Sequence, residues 1–218
     1  MTTFYGAQHR TLQDEFDSRH IADVLAAVIV RPEIDHEAKD FIESRTFFFL
    51  STVNEDGQPT VSHKGGATGF VRVVDPMTIV FPSYDGNGMF LSMGNIAGDG
   101  RIGLLFMDFE RPHRVRAHAH AVVSRDDPMM SHYPGADLVV RATVTDIFVN
   151  CPRYVTPHTA GAPSKYVPDA NGAAPLPGWK KIDALQPFLP ARFQGIAETE
   201  NDVITADEYS QRLLHGDA

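Results

Sequence analysis

Between residues 47 and 110 the chain alternates β-favouring runs with turn signals, and this succession restricts its fold more than any other feature. Residues 47–53 (FFFLSTV) are aromatic and β-branched, and residues 54–57 (NEDG) form a turn. Glycine accepts the positive φ of tight hairpin turns, so Asp56-Gly57 between two such runs signals a hairpin. Residues 59–66 run back out of it. A second return follows, from 70–74 through Asp75-Pro76 to 78–81. Residues 83–88 (SYDGNG) lead into a helical-looking stretch at 89–96, and a strand at 101–106 closes the unit. Small polar loops meet a helix start beside a strand that carries His63 and Lys64. That combination points to an anion site, first of all for phosphate, and to a cofactor-binding β-barrel.

Further along, residues 113–124 and 138–149 alternate as long half-buried strands, and 126–133 form a short helix or turn. About six strands, mostly hairpin-connected with helices as inserts, favour an antiparallel barrel over a doubly wound parallel sheet. Upstream, Leu12, Phe16, Ile21, Val24, Leu25 and Val28 fall close to helical spacing, and 35–44 reads as a second helix with Asp35 as N-cap. Both helices are expected to pack, covering one end of the barrel. Residues 155–180 are rich in proline and glycine and read as a linker, a lid or an arm that embraces another subunit. Residues 205–214 read as a short terminal helix. No internal repeat and no domain boundary is visible.

Composition removes several classes. A formal net charge of −9 without any dense Lys/Arg block argues against a dedicated nucleic-acid protein. No apolar run reaches the roughly 18 residues of a membrane span. The apolar stretch at 24–30 is too short and follows an acidic one, unlike a signal peptide, so a cytoplasmic location is expected. One cysteine excludes an internal disulfide framework.

Two segments carry the chemistry. In residues 62–66 (SHKGG), Lys64 and His63 supply charge while Gly65 and Gly66 let the backbone approach a planar ligand; a strand ending in a glycine bulge explains the same letters. Ser83, Asn87 and Gly88 precede a helix start, where free amides favour anions, and a plain capped loop is the alternative. His118 and His120 share a strand face, with Cys151 and His158 later, but their spacing matches no compact metal motif, and no metal is expected. Cys151 is read as a packed thiol rather than a nucleophile. Arg153 can pair with a carboxylate or phosphate and Tyr154 can stack on a ring. Residues 47–49 are read as core, and Trp179 as either a cleft cap or an anchor for the arm.

From residue 49 (FLSTVNEDGQP) to residue 106 (RIGLLF from Arg101), the chain resembles the pyridoxamine 5′-phosphate oxidase-like, FMN-binding split-barrel family. It is most similar to a bacterial subgroup with His-Lys-Gly-Gly after the first hairpin, Gly-Asn-Ile on the helix and Asn-Cys-Pro after a late strand, here Asn150-Cys151-Pro152. The resemblance spans roughly residues 40–155. It implies a six-stranded antiparallel split β-barrel forming a single domain over 1–218, with N-terminal helices at 9–45, barrel core at 46–154, and an arm with a C-terminal helix at 155–218. It also implies a homodimer with FMN at the subunit interface, a small-molecule substrate, and FMN-dependent oxidoreductase activity. A non-catalytic carrier or sensor of flavin, deazaflavin or haem is the alternative. His63, Lys64, Gly65 and Gly66 would support ring and phosphate; Ser83, Asn87 and Gly88 would hold the ribityl phosphate; Asn95 and Arg101 are further candidates. Arg116 or His118 would reach the flavin from the partner subunit, and Arg153 would line it. The oxidase proper carries an Arg-x-x-x-Leu-Lys strand, Ser-Arg-Lys at the helix start and an Arg- and Trp-rich C-terminal signature. This chain has none of them, so the resemblance implies a relative with another substrate and fewer fixed charges on the phosphate.

Overall fold

The structure, a computed structural model, describes residues 4–216; residues 1–3 and 217–218 of the expected single domain lie outside them. Two compact units emerge, the first running to residue 163 and including 170–172, the second comprising 164–169 and the chain from 173.

In the first unit the hairpin signals are realised as read. Asn54 accepts at Oδ1 from the amides of Asp56 (3.1 Å) and Gln58 (2.8 Å), while Gly57 adopts a φ of +81°. The turn therefore closes on its own side chain, and β1 (Phe47–Val53) and β2 (Pro59–Gly65) pair antiparallel along their full length. Next come β3 (Arg72–Asp75), β4 (Thr78–Tyr84), β5 (Arg101–Asp108), β6 (His113–Ser124) and β7 (Ala136–Val149). All lie in one antiparallel sheet of order β2-β1-β5-β6-β7-β4-β3. The strands number seven rather than six, because both arms of the second hairpin join the sheet.

No ladder joins β2 to β3 among the described residues, so the barrel is not closed. The sheet is nonetheless rolled. Phe48 on β1 and Phe81 on β4 have three strands between them in sheet order, which in a flat sheet would set them about 19 Å apart. Their ring centroids lie 4.9 Å apart. Phe70 and Phe106 also pack on Phe48, and this aromatic cluster joins inward residues of β3 to β7 in one buried core. Alternation along β1 is strict: Phe48, Leu50 and Thr52 are buried, while Phe47, Phe49 and Ser51 face outward and are half-covered. Only the middle phenylalanine of the three expected in the core is there. Period-two strand geometry forbids the other two from joining it.

Two irregularities adjust the long strand β7. Its pairing with β6 slips at Thr145, so that Val144 faces Ala119 and Asp146 faces His118; its pairing with β4 slips at Asp137. Such bulges bend a strand and change which residues face the core. Beyond the end of β4, the free edge of β7 is taken by Arg31, whose amide and carbonyl both bond Ile147 (2.9 and 2.8 Å).

The helices behave unequally. α1 (Ala7–Glu15) and α2 (Arg19–Ile29) contain no buried residue, so the expected packing of their apolar face is not seen within this chain. Phe16 is 73% exposed and Val28 66%. In contrast, α3 (His36–Glu43) is capped by Asp35, which accepts from the Ala38 amide, and it buries Ile42 in the core. It also shields an edge: Lys39 Nζ donates to the Val73 carbonyl (2.7 Å) and Glu43 accepts from the Val73 amide (2.9 Å). Satisfying backbone groups on an edge strand removes a template for further strand pairing. α4 (Leu91–Gly98) starts two residues later than its composition suggests, after Phe90 in a left-handed conformation. It is fastened to the sheet by Ser92 to Ser62 (Oγ–Oγ 3.0 Å) and by Asn95 Nδ2 to Thr52 Oγ1 (3.0 Å).

The second unit is built from short 3-10 turns at 178–181, 183–188 and 191–193, α5 (Ile196–Thr199) and α6 (Ala206–His215). Thr205 and Glu208 form a capping box at the start of α6. Ile182, Leu189, Ala197 and Ile204 are its buried apolar residues. Lys180 is buried among them, its ammonium 3.4 Å from the Phe193 ring centroid. Trp179, beside it, is half-buried in the same unit. None of the described helices is long and apolar enough to cross a membrane.

Candidate functional site

His63 and Lys64 stand on opposite sides of β2. Lys64 pairs in register with the inward Phe48, and Ser62, two residues before it, faces the same side and meets Ser92 of α4. Ser83 is the next core-side position after Phe81 on β4, whose ring touches Phe48. Lys64, Ser62 and Ser92 therefore lie at the β2 edge of the open sheet, and Ser83 lies on the core-facing side of β4. Lys64 is half-buried and has no acidic partner among the described residues. Burial alone pushes its ammonium below the usual lysine value. A desolvated cation without a counterion carries an electrostatic cost that a bound anion relieves.

The outward side of β2 is different in kind. His63 stacks on Phe47 at 5.5 Å with planes 15° apart, and Phe47 lies parallel to Phe109 at 6.0 Å and 5°. Phe49 meets His63 edge-on. A register row follows across the outer face, from His63 through Phe49 and Leu105 to Arg116 and Phe148. Arg116 thus shares a face with His63, and Lys64 does not. Arg116 is half-buried and forms no ion pair among the described residues. His118 also points outward; its Nδ1 lies 3.8 Å from Asp146, and Phe4 and Phe148 flank its ring.

The two glycines have separate reasons. A side chain at Gly66 would meet the Phe70 ring at 2.5 Å, so packing forbids anything larger there. At Gly65 a Cβ would lie 3.0 Å from the His63 ring. In the loop before α4, Asn87 accepts from the Met89 amide (3.0 Å) and Gly88 takes a φ of +78°, a conformation glycine adopts freely. Asn95 is buried and committed to Thr52, an anchor for α4. Arg101 is bound to Asp99, whose carboxyl is lowered to about 2 by hydrogen bonds from the Arg101 side chain and amide. Arg153 lies exposed beyond β7, next to the almost fully exposed Tyr154, which has a φ of +68°. Cys151 is exposed too, not packed as expected, since the chain has left the sheet at Val149.

One residue escapes the sequence reading. Arg114, on the outer face of β6 opposite Met107, donates to the Cys151 carbonyl (2.8 Å), and its Nε is buried without a partner. Asn150 Oδ1 is likewise buried and unpaired. Strand alternation marks Arg114 as outward, but only the return of β7 beside it shows that it is half-buried with a donor to spare.

Comparison with known proteins adds the family. Residues 34–148 match the family model described as pyridoxamine 5′-phosphate oxidase. Solved structures with similar folds include HupZ of Group A Streptococcus (23% identity, 59% of this chain and 99% of that one, TM-score 0.44). Others are an FMN-binding protein of Syntrophomonas wolfei (10%, 66% and 98%, 0.40) and HutZ, a haem storage protein of Vibrio cholerae (18%, 53% and 94%, 0.38). No curated protein matches. With more than half of its length matched, the chain belongs to the pyridoxamine 5′-phosphate oxidase-like family.

Proposed function

We propose that this protein is an FMN-dependent oxidoreductase acting on a small molecule, with the flavin phosphate held beside Lys64. The observation that carries this is the half-buried, unpaired Lys64 ammonium on the edge strand β2, on the same side as the Ser62–Ser92 hydroxyl pair. The donor set fits the cofactor. Lys64 and the hydroxyls of Ser62 and Ser83 suit a phosphate. FMN, when bound, supplies the electron or hydride transfer itself. The chain's own residues bind and orient: Lys64 and the serine hydroxyls would hold the phosphate, and Asn87 shapes the loop before α4. Gly66 matters here indirectly, by letting Phe70 close the core behind Lys64.

The same reading makes the protein a homodimer. The exposed apolar stripe of α1 and α2, from Leu12 to Val28, supports a second copy as its cover. The decisive experiment is the absorbance spectrum of freshly purified protein, followed by release and mass measurement of any chromophore. Bands near ~370 and ~450 nm with an FMN mass bear the proposal out. A colourless protein that refuses added FMN overturns it. Reduction of bound flavin by NAD(P)H, with reoxidation over many turnovers, separates an enzyme from a carrier.

A further inference from the structure

A cavity of about 390 Å³ lies on the outer side of the first unit, where β1 begins and β5 ends. That volume is within the range of small-molecule sites, roughly 300–1,000 Å³. Phe47 and Phe109 supply two parallel rings to its wall, His158 stands edge-on to Phe109 at 5.5 Å, and Met107 lies in the lining as well. The covering segment is tied down by His158 N to the Phe109 carbonyl (3.0 Å) and Ala160 N to Glu110 Oε1 (3.1 Å).

The charges in this lining do not cancel. Arg45 pairs with Asp108 at 2.8 Å, both side chains less than one-fifth exposed. Arg45 also donates to Ser44 Oγ and lies 4.6 Å over the Phe41 ring, so its charge is spent inside the wall. Burial opposes the Asp108 charge, but the Arg111 amide and Arg45 outweigh it and hold the carboxyl below its usual value. Glu110 is left as the unbalanced charge, with only one oxygen engaged. His158 makes no side-chain hydrogen bond among the described residues. Aromatic faces together with one spare carboxylate favour a cation with a flat body.

We infer that this cavity binds a planar heteroaromatic cation, stacked along Phe47 and Phe109 with its positive group toward Glu110. The inference stands apart from the flavin reading, since Lys64 faces the other side of the sheet.

The test is titration of the whole protein with 4-aminoquinoline, followed by the Met107 methyl resonance (assigned with Met107→Leu) and by calorimetry. Planar 2-naphthalenesulfonate serves as the anionic counterpart. The expected result is a moving Met107 methyl, no binding of the sulfonate, and affinity about fivefold weaker in Glu110→Gln, which alters an exposed residue. Phe109→Ala, checked for folding by circular dichroism, should lose binding. An unmoved Met107 methyl, equal binding of the sulfonate, or unchanged affinity in Glu110→Gln would overturn the inference. None of these results depends on whether the protein carries flavin.

Discussion

His63 and Lys64 are neighbours in sequence, yet one lies flat against Phe47 on the outside of the sheet and the other pairs with Phe48 on its inner side. Two adjacent residues thus serve two environments, one aromatic and one electrostatic.

The electrostatic role of Lys64 gives the first expectation. Replacing Lys64 and Asn87 together by alanine should weaken FMN binding at least tenfold, about 1.4 kcal/mol, measured by fluorescence titration. The pH dependence has a definite sign. Lys64 is depressed below 10.5 in the folded protein, so its charge is lost earlier than in a free lysine as pH rises. Phosphate affinity should fall as pH climbs through that depressed value. Stability without ligand should rise over the same window, because the unfolded chain still holds the proton there. Unchanged affinity in a folded double variant would remove these residues from the site.

Gly66 is a stability position. An alanine there would press on the Phe70 ring, itself buried against Phe48. Overpacking of this kind costs about 1–3 kcal/mol. Urea denaturation of Gly66→Ala should show that loss, whereas Gly86→Ala, where a Cβ meets nothing within 4 Å, should be close to neutral.

The pair Arg141–Asp127 makes stability depend on acid. Both nitrogens donate at 2.9 Å, and the Asp127 side chain is only 6% exposed. The Arg141 hydrogen bond holds the Asp127 carboxyl below its ordinary value. Its contribution is therefore complete above the unfolded value near ~3.9 and is lost as pH falls through the folded one. Asp127→Asn should cost about 1.5–3 kcal/mol at pH 7, and the difference from the parent should shrink in melts taken toward pH 3. A constant difference across that range would contradict the assignment.

The proposed dimer rests on the exposed stripe of the first two helices. Sedimentation should show a dimer, and Phe16→Asp with Val28→Asp should weaken it at least tenfold, about 1.4 kcal/mol. A parent protein that sediments as a monomer while keeping full flavin occupancy would sink the shared-site arrangement.

Local chemistry made much of this fold legible. The Asn54–Gly57 turn and the Asp35 cap act within a few residues, so composition reveals them. Alternation is legible along residues 113–124, but the run of three phenylalanines masks it in β1, where Phe47 and Phe49 face outward, half-covered by rings from elsewhere, rather than into the core. Arg114 was illegible for a related reason: its burial depends on Asn150 and Cys151, more than 30 residues away. For α1 and α2 periodicity announced an apolar face, and nothing local says what covers it.

Thr145 has a consequence for how β7 tolerates changes in length. Before it the β7 positions in the main core are even-numbered, Val140, Ala142 and Val144; after it the series resumes at Ile147. The strand carries two phases of one pattern, joined where a residue is left without a partner. Loss of Thr145 would leave every β6 partner in place and merely straighten the strand. The same deletion a few residues away would turn part of β7 inside out, driving Asp146 or Arg141 toward the core. The bulge is the strand's expansion joint.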